Sequence, residues 1–130
     1  MDNKLPFMTL AIGPLLIETV GLTPAEFGSH VRLLIHGWSV DGNIPSDTTR
    51  QRRIAGVDDL EEWKDIRATL ERLYEVDGPT WRHGRLDAEL ARAHDRSAKA
   101  KAAGERSGAV RRERSTNGRS TDVAAKFEPQ

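Results

Sequence analysis

A chain of 130 residues, 37% hydrophobic and 31% charged, has room for one domain and a tail, with only about 80 residues able to share a core. It contains no cysteine, which excludes disulfide staples, thiolate metal sites and thiol catalysis and fits a reducing cytoplasm. The net charge of zero conceals a division: residues 1–81 carry 8 basic and 13 acidic side chains, residues 82–119 carry 11 and 5, and residues 120–130 carry 1 and 2.

The apolar stretch from Leu5 to Ile17 is broken by Pro6, Thr9, Gly13 and Pro14 and lacks a basic n-region and a small-residue cleavage site. It is read as folded chain, neither signal peptide nor membrane span. Leu5 to Leu10 is expected to be extended and able to pair with a later hairpin. Pro14 to Val20 is expected to form a short helix stopped by Gly21.

A helix starting at Pro24 is announced by several independent signals. Thr23 and Glu26 have the spacing of a capping box, Pro24 falls at the first helical position, and Leu22 and Phe27 occupy the places of a hydrophobic staple. Phe27, Val31, Leu34, Ile35 and Trp38 recur at helical spacing as its apolar face, up to an end near Asp41-Gly42. After a loop at Asn43-Ile44-Pro45, Ser46 is the expected cap of a helix through Ala55, terminated by Gly56.

Asp58 or Asp59 caps the next helix, whose stripe is Leu60, Trp63, Ile66, Leu70, Leu73 and Tyr74. Two helices joined by Gly56-Val57-Asp58 match a helix-turn-helix connection. Tyr74 to Val76 and Thr80 to His83 then flank Asp77-Gly78-Pro79 as two strands about a tight turn. A further helix from Leu86 has only Leu86 and Leu90 as large apolar residues. The expected fold is mainly α with a short β-hairpin and is winged-helix-like. Its parts are a domain over residues 1–95, a projecting polar helix end over 96–104, and a basic, disordered tail over 105–130. Trp38, Trp63 and Trp81 are its core anchors.

Residues from Leu5 through about Ala103 resemble the YdaU-like family of uncharacterised phage and prophage domains. The resemblance rests on Leu22-Thr23-Pro24-x-Glu26-x-Gly28, Leu33-Leu34-x-His36-x-Trp38 and Ile44-Pro45-x-Asp47. It continues through Arg53-Ile54-Ala55-x-Val57, Glu62-Trp63-x-x-Ile66-Arg67 and Trp81-Arg82-His83-x-Arg85-Leu86-Asp87-x-Glu89-Leu90. The resemblance implies a winged-helix-like domain associated with phage replication. The chain departs from the family pattern after Pro6-Phe7, where Met8 to Pro14 replaces an aromatic and acidic segment.

Nothing in the sequence points to an enzyme or a cofactor. There is no phosphate loop, nucleophile elbow, dinucleotide fingerprint or His-Glu-x-x-His spacing, and His30, His36, His83 and His94 are too dispersed to suggest a metal site. The candidate phosphate-binding residues are Arg50, Arg52, Arg53, Lys64, Arg67, Arg82, His83 and Arg85, which would grip DNA with little base readout. The helix over Leu60 to Tyr74 is acidic on its outer face, which opposes docking in a major groove. The alternative is therefore an adaptor that presents Glu61, Glu62 and Asp65 to a basic replication protein such as a helicase or loader.

Overall fold

The computed structural model describes residues 5–117. Among these, the fold is mainly helical, with five α-helices and one small antiparallel sheet. Residues up to His94 form one compact unit and those from Asp95 onward a second.

Helix α1 spans Ile12–Glu18. Pro14 falls within its first turn, where a missing N–H costs no helical bond. The helix ends as the Thr19 hydroxyl turns back to the Leu15 carbonyl at 2.7 Å, and Gly21 follows at φ +86°. The segment before it, Leu5 to Leu10, is not a strand. It packs through the Leu5 carbonyl, which accepts from Trp38 Nε1–H at 3.0 Å, and this corrects the expected pairing with the hairpin.

Helix α2 spans Pro24–Ser39 and opens on the expected capping box, with Thr23 and Glu26 exchanging both hydrogen bonds. Its buried face is rotated from the expected one. Ser29, His30, Leu33, Leu34, Gly37 and Trp38 are inside, whereas Ile35 is 54% exposed and Phe27 39%. The cause is steric and polar at once. A Cβ at Gly37 would stand 2.6 Å from Leu86 and 2.9 Å from Ile44, so the bare backbone there admits both side chains, and His30 finds partners in the interior.

The loop expected at Asn43-Ile44-Pro45 contains strand β1, Ile44–Pro45. Strands β2, Glu75–Asp77, and β3, Thr80–Arg82, form the expected hairpin, with Gly78 at φ +61° in its turn. The order is β1-β3-β2, and Trp81 lies opposite both Ile44 and Val76. Pro45 donates no ladder hydrogen bond and accordingly sits on the sheet edge.

Helix α3, Thr48–Ala55, is capped by Asp47 rather than Ser46. The Asp47 carboxylate accepts from Arg50 N–H, while Ser46 reaches the Gly78 carbonyl across the sheet. Gly56 ends α3 in the left-handed conformation, φ +79°, and Asp59 caps α4, Leu60–Leu70. A single 3₁₀ turn, Glu71–Leu73, leads into β2.

Trp63, Trp81, Leu33, Ile44 and Leu70 are fully buried, each contributing about 1.5–3 kcal/mol of transfer free energy. Trp38 joins the same cluster, so all three indoles meet in one core as expected.

Helix α5 runs Gly84–Asn117, well past Gly104. The disordered tail expected from residue 105 is thus corrected as far as Asn117. Arg and Glu make up six of the thirteen residues from Glu105 to Asn117 and are intrinsically strong helix formers, so composition that resembles disorder still sustains a polar helix. The rest of that expectation, residues 118–130, lies outside the described residues.

Candidate functional site

The first unit holds a buried polar cluster built from four elements. Glu18 ends α1, His30 lies in α2, Tyr74 precedes β2, and His83 and Arg85 stand at the start of α5. Glu18 Oε2 is 2.9 Å from His30 Nε2, and Glu18 Oε1 is 3.1 Å from His83 Nε2 and 2.7 Å from Arg85 Nη2. His30 Nδ1 is 2.7 Å from the Tyr74 hydroxyl.

The hydrogen-bond roles follow from the partners. An ionised carboxylate only accepts, so both Nε2 atoms donate to Glu18. His83 is the residue before α5, and its Nδ1 accepts from Leu86 N–H at 3.1 Å, a histidine acting as the helix cap. Burial pushes the Tyr74 hydroxyl well above its ordinary pKa, with the Glu18 charge adding to the effect, so it stays protonated and donates to His30 Nδ1. Burial also holds His30 below its ordinary range despite the carboxylate beside it. For Glu18, burial raises the pKa, but the His30 hydrogen bond, Arg85 and the charges of both histidines outweigh it and leave the carboxyl below its usual value.

Glu18, His30 and His83 bring three potential ligand atoms within 4.8 Å of one another, closer than the scattered histidines of the sequence suggest. The donor set nevertheless does not fit a cation. A neutral imidazole that accepts at Nδ1 carries its proton on Nε2, so the Leu86 N–H removes His83 as a ligand, and the Arg85 guanidinium already supplies the positive charge beside the carboxylate. The cluster is a polar and ion-paired core joining α1 to α2 and α5.

The residues expected to grip phosphate stand in different settings. His83 is buried and Arg85 half-buried in the Glu18 cluster. Arg67 donates through Nε to Gln51 Oε1 at 2.7 Å and through Nη2 to the Ser46 carbonyl at 3.0 Å, with its guanidinium 4.9 Å from the centre of the Trp81 ring. Arg82 is held between Asn43 and Asp87. Arg52 donates through Nη1 to the carbonyls of Val57 and Asp58, fastening the turn between α3 and α4. Lys64 is exposed and faces Glu61 at 3.4 Å. Arg50 and Arg53 are exposed and have no ion-pair partner among the described residues.

Glu61, Glu62 and Asp65 are all exposed on α4, so the outer face of that helix is acidic as expected. The second unit has the opposite character. Residues 95–117 of α5 hold seven Lys or Arg against three Asp or Glu, and Arg96, Lys101, Arg106 and Arg111 are exposed.

Sequence reasoning missed Glu18 and His30. Glu18 is the single charge between Leu5 and Pro24, and His30 stands three, four and eight residues before the buried Leu33, Leu34 and Trp38. Those two positions were the available signal.

The model of the family "Protein of unknown function (DUF1376)" matches residues 6–91. Among curated proteins, "Uncharacterized protein YdaU" of Escherichia coli (strain K12) is 31% identical over 135 residues, covering 95% of this chain. The alignment takes in 46% of that relative, so the chain spans about half the length of the protein it matches. No solved structure matches significantly. The chain belongs to the DUF1376 family and is similar to YdaU, in line with the resemblance read from the sequence.

Proposed function

We propose that this DUF1376 member is a non-enzymatic, phage- or prophage-derived DNA-binding accessory of replication, working in the cytoplasm. In this reading a winged-helix-like body carries a cationic helix that attracts nucleic acid. The order α3, left-handed turn at Gly56, α4 and hairpin supports the winged-helix part.

The observation that carries the proposal is the charge of α5 beyond His94. Arg96, Lys99, Lys101, Arg106 and Arg111 fall on several sides of the helix, and the only large apolar residue among them is Val110. Such a helix offers phosphate neutralisation from many directions without a dedicated base-reading face. The body adds Arg50 and Arg53, whereas the acidic face of α4 does not suit a groove.

The test is binding to double- and single-stranded DNA over a salt series, comparing the full chain with an R96Q/R106Q/R111Q variant. The expected slope of log affinity against log salt becomes shallower by about 0.9 for each duplex phosphate that the variant no longer neutralises. An unchanged slope and affinity would remove α5 from the interface.

The second reading is an adaptor in which Glu61, Glu62 and Asp65 dock a basic partner such as a helicase or loader. It is favoured by their common exposure on α4, where Lys64 is an exposed counter-charge and Arg67 is turned to Gln51 and Ser46. Charge reversal, E61K/D65K, should then abolish capture of the partner while leaving DNA retention in place. Retained capture counts against it.

A further inference from the structure

Helix α1 is held by polar contacts on one side and left bare on the other. Leu15 is its single buried residue, and Glu18, next to Leu15 in helical projection, turns inward to His30, His83 and Arg85. On the outward side Ile12, Leu16, Ile17 and Val20 are 60%, 62%, 77% and 74% exposed, and Phe7 just before the helix is 86% exposed. Seven helical residues that include Gly13 and Pro14 have no intrinsic reason to persist in water. A soluble monomer rarely leaves so many large apolar side chains of one short segment uncovered.

We propose that this face is an isologous dimer interface, in which α1 of one copy packs on α1 of a second. With one aromatic and four smaller aliphatic side chains, the five named residues present on the order of 500 Å², or about 1,000 Å² for two copies, the floor of specific interfaces. The chemistry selects a second copy over other occupants. Between Leu5 and Ile17 no residue is charged, so the face offers a heterologous protein no ion pair to recognise, while an apolar patch is complementary to itself. A lipid surface is disfavoured because no Lys or Arg occurs between Leu5 and Val31, where an interfacial helix would carry its basic flank. This proposal is independent of the DNA and adaptor readings, since α5 beyond His94 and the acidic face of α4 take no part in it.

The experiment is the solution mass of the full chain by sedimentation equilibrium over the widest accessible concentration range, for the parent and for L16E and I17E. The parent should shift from monomer to dimer, and each variant should remain monomeric at every concentration. Both positions are solvent-facing, so circular dichroism should show an unchanged helix content, and L16M should dimerise like the parent. A monomeric parent throughout, a dimer indifferent to both charges, or association only with vesicles of neutral lipid would each overturn the proposal.

Discussion

The Glu18 carboxylate meets His30 Nε2 at 2.9 Å, so the last residue of α1 is locked to the middle of α2 inside a mostly apolar core. Because the other carboxylate oxygen holds His83 and Arg85, one acidic side chain joins three helices. Removing it strands buried polar partners, and that cost exceeds the modest net worth of the pairs themselves. Glu18→Gln should lower stability by about 3 kcal/mol, read from the urea midpoint at neutral pH. A change below about 0.5 kcal/mol would show that water satisfies the cluster equally well.

Acid should act on the same cluster with a defined sign. His30 is held below its ordinary 6.5 and Glu18 below its ordinary 4.5, so at each step the unfolded chain binds more protons than the folded one. The His30 contribution is fully present above pH 6.5 and declines as pH falls below that value. The Glu18 contribution is fully present above pH 4.5 and declines below it. His36, depressed by burial and by Arg50, adds in the same direction as His30. The melting temperature should therefore drop in two stages on acidification. In Glu18→Gln the lower stage should be reduced.

Most of the backbone was legible because its signals are local. The Thr23–Glu26 box, the Gly56 terminator, the Asp59 cap and the Gly78 turn each depend on residues within four positions of one another. What escaped was set by distant partners. The face of α2 was misplaced because Ile35 and Phe27 are more hydrophobic than His30 and Gly37. Gly37 is chosen by the approach of Ile44 and Leu86, and His30 by Glu18 and Tyr74. The partners of two basic residues were hidden for the same reason: Arg67 and Arg85 meet Gln51 and Glu18 from far along the chain.

Gly37→Ala tests the close approach directly. The position is helical, so alanine gains roughly 0.5–1 kcal/mol of backbone entropy. Its methyl, however, would overlap Leu86 and the buried Ile44, and overpacking costs about 1–3 kcal/mol. Net destabilisation is expected in a denaturant titration. Gly28→Ala, where a Cβ meets nothing within 4 Å, should be stabilising or neutral.

Arg67 and Arg53 separate a structural cation from an available one. Arg67 satisfies the fully buried Gln51 and the Ser46 carbonyl and covers Trp81, linking α4 to α3 and the sheet. Arg67→Met keeps much of the stem packing but leaves Gln51 Oε1 without its donor, at a cost of about 1–3 kcal/mol. Arg53 is exposed on α3, and Arg53→Gln should leave the unfolding midpoint within about 0.5 kcal/mol of the parent. If the body of the protein touches phosphate, the same Arg53→Gln variant lowers the salt dependence of DNA binding while folding is untouched. Arg67→Met would reduce binding only in proportion to the unfolded fraction, so measuring both properties on both variants distinguishes a missing phosphate interaction from a missing fold.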